Sequence, residues 1–575
     1  MWKLTRFMRP YIGGIILVVG AVFFQAFAEL MLPNLMSQIV DQGIAQGNIS
    51  LIWQVGARML LVALGGTVLA VGGTYLESRL SSALGRDMRR AVFARAESFS
   101  LQEFNELGTA SLITRTTNDV SQVQQVFLTL TRVAARAPLM AAGGVVMVLA
   151  KDPRLATMVI AILPALALII VVVARKVMPL FRKIQGKLDQ LNRVAREQLM
   201  GVRVIRAFDR VEFEQGRFAD ANKDLTTITL RVSRIMALLM PLMSLILNLT
   251  TVGIVWFGSK RIDMGHMAVG DMMAFTQYAM HILMSLVMMS MIFVMLPRAA
   301  ASAERINEVL EKDPRITDPE RPVPTQKGRG QVEFDGVTFT YPGAEAPVLE
   351  NISFVARPGE TTAIIGGTGS GKSTLLNLIP RFYDADSGSV RIDGVDVRQL
   401  PLTSLRERLG YVPQRAVLFS GTIASNIRAG KDGASAEEVE AAAETAQALD
   451  FILSKEGEFE APISQGGANV SGGQKQRLAI ARAVVRKPDI YLFDDSFSAV
   501  DFKTDAKLRA ALEKVARDKT VIVVAQRIST IMHADQIVVL DAGRIVGKGT
   551  HKELLRSCPV YQEIAASQLG EEALA

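Results

Sequence analysis

Eight residues, Gly366-Gly367-Thr368-Gly369-Ser370-Gly371-Lys372-Ser373, carry the plainest chemistry in this chain. They follow a run that reads as a buried strand, Thr362 to Ile365, and precede one that reads as a helix, Thr374 to Leu378. Glycines at this spacing let backbone N–H groups wrap phosphates, and the start of the helix adds its positive end. Lys372 supplies a point charge, and the Ser373 hydroxyl suits a hard cation such as Mg²⁺. A second strand-like run, Ile490 to Phe493, ends at Asp494, placed to hold a magnesium-bound water, and Asp495 follows where a base would orient the attacking water. Gln414, after Tyr411-Val412-Pro413, has the reach to serve both metal and water, and Tyr341 is either a ring on which adenine can stack or a packed strand aromatic. Together these residues are expected to bind ATP and Mg²⁺.

A further motif, Ser471-Gly472-Gly473-Gln474, stands immediately before a helical pattern from Lys475 to Val485. Ser471 is the expected N-cap, and the glycine pair lets backbone approach an anion closely. A second nucleotide-facing helix end in one domain makes sense when it serves the ATP of another domain.

The elements that must position these groups fall in the second half of the chain; the first half is apolar. Six stretches of spanning length occur at roughly 11–32, 51–74, 133–150, 155–174, 235–257 and 272–297, each near the ~20 residues needed to cross ~30 Å of hydrocarbon. Residues 33–50 contain no Lys or Arg, whereas 79–136 and 175–234 carry many, including Arg86, Arg89, Arg115, Lys176, Arg203 and Arg206. That asymmetry marks the two long segments and both termini as expected on the cytoplasmic side; a bacterial cytoplasmic (inner) membrane is what the family resemblance given below implies. Lys151, Arg154, Lys260 and Arg261, in short loops on the other side, weaken the rule without reversing it. The net charge of +8 lies beside the spans and no aromatic-basic face accompanies it, so it points to an anionic lipid bilayer and not to nucleic acid. Met1 to Pro10 reads as an amphipathic lead-in to an uncleaved first span. The one cysteine, Cys558, makes no intrachain disulfide, and four scattered histidines form no metal site.

The expected organisation is an all-helical transmembrane domain over 1–310, a linker over 311–330, an α/β nucleotide-binding domain over 331–565 and a tail over 566–575. Pro314, Pro319, Pro322 and Pro324 bias the linker toward extended backbone. The segments 75–132 and 175–234 are too long for loops and rich in helix formers, so they continue the spans as helices. Short helices that could meet another domain are expected near Arg115–Asp119 and near Gly201–Phe208. Beyond the linker, strand-like runs at Val332–Thr340 and Val348–Val355 open an alternation of strands and helices typical of a parallel sheet.

The phosphate loop and the Ser471–Gln474 motif together resemble the ATP-binding cassette exporters, over nearly the whole chain. The resemblance implies a type I exporter fold of six spans with coupling-helix hairpins. It also implies an obligate pair of chains with two ATPs sandwiched between one chain's phosphate loop and the other's signature. Gln414 is similar to that family's Q-loop and Ser498-Ala499-Val500-Asp501 to its D-loop. The chain departs from the family at the reaction centre: Asp495 stands where a Glu is usual, Gln526 where a His is usual, and Gln465 where a Glu is common. Asp495 is one methylene shorter, withdrawing its carboxylate by ~1.5 Å, and a ~1 Å misplacement can cost ~100-fold in rate. Gln526 can hydrogen-bond a γ-phosphate but carries no charge or titratable proton. The implied arrangement is a heterodimer in which a homologous half-transporter supplies a working Glu and His. A homodimer with a slow, Asp-based ATPase, or a regulatory ATP-binding subunit without coupled transport, remain the alternatives.

In the membrane half, Met273, Met280, Met284, Met288, Met291 and Met295 recur at helical spacing along the sixth span. This is a surface for varied apolar ligands, small amphipathic substrates included, or else ordinary packing or lipid contact. Gln277, His281 and Ser285 form a polar row on the same helix and are expected to face a cavity. Glu29, with Gln25, and Asn248, with Thr251, are further cavity candidates. Glu29 is read as an attractor of cationic drugs, as a hydrogen-bond partner between helices, or as a residue near the outer interface.

Overall fold

The computed structural model describes residues 2–323, 328–498 and 500–569. The expected linker residue Pro324, the D-loop's Ala499 and the tail beyond Leu569 lie outside the described residues, as does the side chain of Met291. The chain divides into two compact units, residues 1–97 with 109–312, and residues 98–108 with 313–575.

The first unit is helical. Its long helices are α1 (Ile12–Gln38) and α2 (Ile49–Glu97), followed, beyond the short helix α3 (Leu101–Leu107) that groups with the second unit, by α4 (Thr109–Lys151) and α5 (Pro153–Met200). After the short helix α6 (Val202–Ala207) come α7 (Val211–Asp263) and α8 (Val269–Glu311). Among the described residues, six helical segments are long and apolar enough to cross a membrane. The 49 residues of α2 extend about 70 Å at ~1.5 Å per residue, more than twice a hydrocarbon core, so the helix must continue beyond it. Asp152 starts α5 by accepting the N–H groups of Arg154 (2.9 Å) and Leu155 (3.0 Å), with Pro153 at the first helical position. Asp41 does the same for α8 from a distant turn, accepting the N–H of Gly270 at 2.6 Å and of Asp271 at 3.1 Å.

One expectation is corrected. The stretch Arg115–Asp119 forms no separate short helix; it is a π-helical turn within α4. Asp119 is 2% exposed and pairs with Arg305 and Ser302 of α8, which holds this stretch in the long helix. The short helix of this hairpin is α3. A capping box between Ser100 and Glu103 begins it, and Gly108, at φ 76°, ends it where a Cβ would be strained. On the second hairpin α6 lies where the sequence places it.

The second unit is an α/β domain. An antiparallel sheet is built from β1 (Val332–Phe339), β2 (Leu349–Ala356), β4 (Ser387–Ile392) and β5 (Val395–Asp396), in the order β2-β1-β4-β5. A six-stranded sheet has the order β10-β9-β3-β8-β7-β6. Its strands are β3 (Thr361–Gly366), β6 (Leu409–Val412), β7 (Ile490–Asp494), β8 (Thr520–Val524), β9 (Gln536–Asp541) and β10 (Arg544–Gly549). All neighbours in it are parallel except β9 and β10. The central strands read as continuous apolar runs because both faces are covered, and Ala363, Ile364 and Ile365 are all buried.

Candidate active site: a phosphate cradle with an amide-bound carboxylate

In parallel sheets, ligands gather at the carboxyl ends of the strands. Here register brings three such ends together: Val524 of β8 lies opposite Ile364 of β3 on one side and Asp494 of β7 on the other. The phosphate loop leaves β3, Asp494 ends β7 with Asp495 just after it, and Gln526 follows β8.

The loop 366–373 joins β3 to helix α9 (Lys372–Leu378). Gly369 and Gly371 hold φ of 83° and 95°, and a Cβ on Gly371 would come within 2.7 Å of Leu349. A Cβ on Gly366 would press to 2.1 Å from the Leu540 carbonyl. At Gly367 and Gly369, by contrast, a Cβ would meet nothing within 4 Å. The loop is thus packed on its sheet side and open on the other, the shape a phosphate chain requires. Lys372 Nζ donates to the carbonyls of Gly366 (2.9 Å) and Gly367 (2.6 Å), which draws the ammonium across the loop. Burial lowers its pKa below the ordinary lysine value, against the pull of Asp495 and Asp494. Ser370 is buried within the loop and Thr368 lies on it.

Ser373 Oγ donates to Asp494 Oδ1 at 2.9 Å, so two hard oxygen ligands stand side by side, a donor set that fits Mg²⁺. Burial raises the Asp494 carboxyl above its ordinary range and Asp495 adds to the rise, while Ser373 and Lys372 oppose it. A divalent cation would relieve that cost. Asp495 itself has φ 46°, unusual for a non-glycine residue. Its Oδ2 accepts two side-chain amides, Gln526 Nε2 at 2.8 Å and Gln414 Nε2 at 3.3 Å. The three residues singled out from the sequence therefore form one cluster.

Tyr341 Oη and Thr374 Oγ1 are 2.9 Å apart, tying the expected adenine shelf to α9. Phe339 and Tyr383 meet Tyr341 nearly edge-on, at 5.0 and 5.4 Å between centroids, which fixes the plane of its ring. Tyr383 Oη in turn accepts from Asn105 of α3 at 3.1 Å. The Ser471–Gln474 motif begins helix α10 (Gly472–Val485). Ser471 Oγ accepts the Gln474 N–H and Gln474 Oε1 accepts the Ser471 N–H, a reciprocal box that leaves Ser471 and Gly472 exposed. Gln465 lies in a short turn just before it. Asp501 caps α11 (Phe502–Val515) through Thr504 N–H, and Ser498 Oγ donates to the Asp495 carbonyl.

In the first unit, Glu29 is paired between helices. Both its oxygens accept Arg136 Nη2, at 2.8 and 2.7 Å, and Oε1 also accepts Gln25 at 3.0 Å. It does not present a lone negative charge. Arg136 was legible as a charge inside an apolar stretch, the signal sequence reasoning passed over. One turn earlier, Arg132 pairs with Glu77, which is 3% exposed. The polar row of α8 divides. Gln277 is exposed and His281 half-buried, whereas Ser285 is buried and donates to its own helix at Ile282. Met273, Met284 and Met288 lie exposed on that helix, and Asn248 is exposed on α7.

Residues 15–287 match the family described as the ABC transporter transmembrane region, and residues 349–498 match the family described as ABC transporter. An uncharacterised ABC transporter ATP-binding protein of Mycobacterium tuberculosis is 44% identical over 98% of this chain and 97% of its own length. The ATP-dependent lipid A-core flippase of Pseudomonas aeruginosa is 32% identical over 100% of this chain and 96% of its own. Among solved structures, a bacterial Atm1-family ABC exporter with ATP bound superposes with a TM-score of 0.81 at 29% identity, covering 98% of this chain and 99% of that one. The chain therefore belongs to the ATP-binding cassette transporters, as an exporter of the type I fold that joins a transmembrane region to an ATPase domain.

Proposed function

We propose that this chain is one subunit of a heterodimeric exporter that moves amphipathic drugs or lipids out across a bacterial cytoplasmic membrane. In this reading its own phosphate loop binds MgATP and hydrolyses it poorly, while its Ser471–Gln474 helix completes the site of a partner with the usual Glu and His. The observation that carries it is the state of Asp495. A short carboxylate held by two amides, at 2.8 and 3.3 Å, is poorly placed to take a proton from water, and neither amide can take one instead.

Bound ATP supplies the phosphoanhydride whose cleavage resets the transporter, with Mg²⁺ neutralising charge on the phosphates. Lys372 and the loop amides would bind the phosphate chain, Ser373 and Asp494 would hold the metal, and Gln414 would lie within reach of it. Tyr341 supports the base. The need for a partner is supported by the second hairpin, where Met200, Val204 and Phe208 are 82%, 60% and 75% exposed. Apolar side chains clustered at one tip call for a covering surface. Arginines along 175–234 support a cytosolic side for this tip. Because Glu29 is neutralised by Arg136, the substrate need not be a cation. The lipid-flippase relatives support an amphiphile of lipid character.

The homodimer reading keeps one observation in its favour: Asp495 is still a carboxylate, beside the metal ligand Asp494. The test is MgATP turnover of the purified chain in lipid, beside Asp495→Glu with Gln526→His. Near silence of the unaltered chain and hydrolysis by the double variant support the proposal. Brisk, drug-responsive turnover of the unaltered chain overturns it in favour of the homodimer.

A further inference from the structure

The C-terminal helix α13 (Pro559–Leu569) reaches the reaction centre through one side chain. Gln568 Nε2 donates to the Gln526 carbonyl at 2.8 Å, and Gln568 Oε1 accepts the Ile528 N–H at 2.8 Å. A carboxamide has one donor and one acceptor side, so it pairs with the C=O of one residue and the N–H two residues on, as a neighbouring strand would. The segment it grips leaves β8 and enters the short helix α12 (Ile528–Ile531), whose N-cap, Arg527, makes no side-chain cap. Gln568 supplies that cap from outside.

The grip has a firm base. Tyr561 and Ala565 of α13 are fully buried in the domain core, and Tyr561 Oη lies 2.7 Å from His551 Nδ1. On the other side of the segment, Ile528 and Ile531 are buried. The gripped residue Gln526 sends its own amide 2.8 Å to Asp495 Oδ2. A continuous path therefore runs from the core-anchored α13 through two backbone hydrogen bonds to the side chain that fixes Asp495.

We infer that Gln568 is a positioning residue of the ATP site, through which the C-terminal helix sets where the residue at 526 meets the residue at 495. This rests on the reading that 495 and 526 stand at the reacting end of the nucleotide. Displacing α13 would release the 525–528 segment and change turnover without changing how ATP is held by Lys372 and the phosphate loop.

The test uses full-length protein carrying Gln568→Met, which keeps the length and removes both hydrogen bonds, and Gln568→Glu, which keeps only the acceptor. Hydrogen exchange at the Ile528 amide is expected to accelerate about tenfold in the Met variant and less in the Glu variant, as a protecting hydrogen bond is lost. In the Asp495→Glu, Gln526→His background, Gln568→Met is expected to lower kcat about tenfold with KM for ATP unchanged, since displacement of this order is costly at a reaction centre. With Gln526→Ala replacing Gln526→His, the same change should have no further effect. Unchanged exchange at Ile528, or an equal loss in the Gln526→Ala background, would overturn the inference. A background that gains no turnover would instead refute the functional reading, and exchange alone then decides the grip.

Discussion

Replacing Arg136 by Leu should destabilise the first unit more than replacing Arg136 and its partner Glu29 together. Nη2 of Arg136 lies 2.7 Å from Glu29 Oε2, and side-chain exposures of 32% and 25% show both groups largely withdrawn from the surface. At that separation and an effective dielectric of about 20, the gross attraction is about 6 kcal/mol. Desolvation offsets most of it, and breaking a buried pair by removing one partner typically costs about 3–5 kcal/mol because the other charge is stranded. The residual exposure of both groups discounts this to about 2 kcal/mol, roughly a 30-fold change in the folding equilibrium. Gln25 can share the stranded carboxylate but cannot neutralise it. The double variant Glu29→Gln, Arg136→Leu strands no charge and should lose about 1 kcal/mol or less. Thermal unfolding of the three proteins in one detergent at neutral pH should therefore rank the unaltered chain first, the double variant next and Arg136→Leu last. If Arg136→Leu is as stable as the double variant, the two groups are not coupled and the intramembrane pair does not hold α1 to α4.

The Asp494 carboxyl is raised by burial, so its proton stabilises the fold at low pH, and that contribution disappears as pH rises from about 3.8 through the higher folded value. Asp494→Asn should accordingly raise the melting temperature of nucleotide-free protein in EDTA at pH 7, by an amount that shrinks as pH falls toward 4, while abolishing Mg²⁺-dependent ATP stabilisation. Ser471→Ala removes the cap of α10 at about 1 kcal/mol; in the assembled pair it should suppress turnover while ATP affinity at this chain's own site, measured on the isolated chain, stays unchanged. Val204→Asp with Phe208→Asp, on the exposed tip of the second hairpin, should leave nucleotide binding by the isolated chain intact and weaken assembly with the partner, read by size-exclusion chromatography.

Local sequence was enough for the parts of the site that are themselves local. The phosphate loop needs glycines where a side chain would strike Leu349 or the Leu540 carbonyl, and it sits between a strand and a helix that adjacent residues specify. The cap of α10 is likewise a contact between Ser471 and Gln474, three residues apart. Apolar runs of spanning length marked six helices because a bilayer leaves the backbone no other hydrogen-bond partner. The position of the first hairpin's short helix was misjudged because Arg115–Asp119 looks polar and terminal, whereas Asp119 is neutralised by Arg305 of a helix far along the chain.

What residue order alone determined is thus the local chemistry on offer: a glycine-rich loop between strand and helix, two hard oxygens at Ser373 and Asp494, a helix capped by Ser471, and the pair Asp495 and Gln526. Tertiary structure decided which of these groups meet. Ser373 and Asp494 are 121 positions apart, Gln526 and Asp495 31, Arg136 and Glu29 107, and Gln568 clasps a segment about 40 residues before it. A carboxylate's environment is set by whatever strand register and helix packing bring within hydrogen-bonding reach, a distance of about 3 Å. Sequence spacing encodes such a distance only within a turn, a strand or one face of a helix.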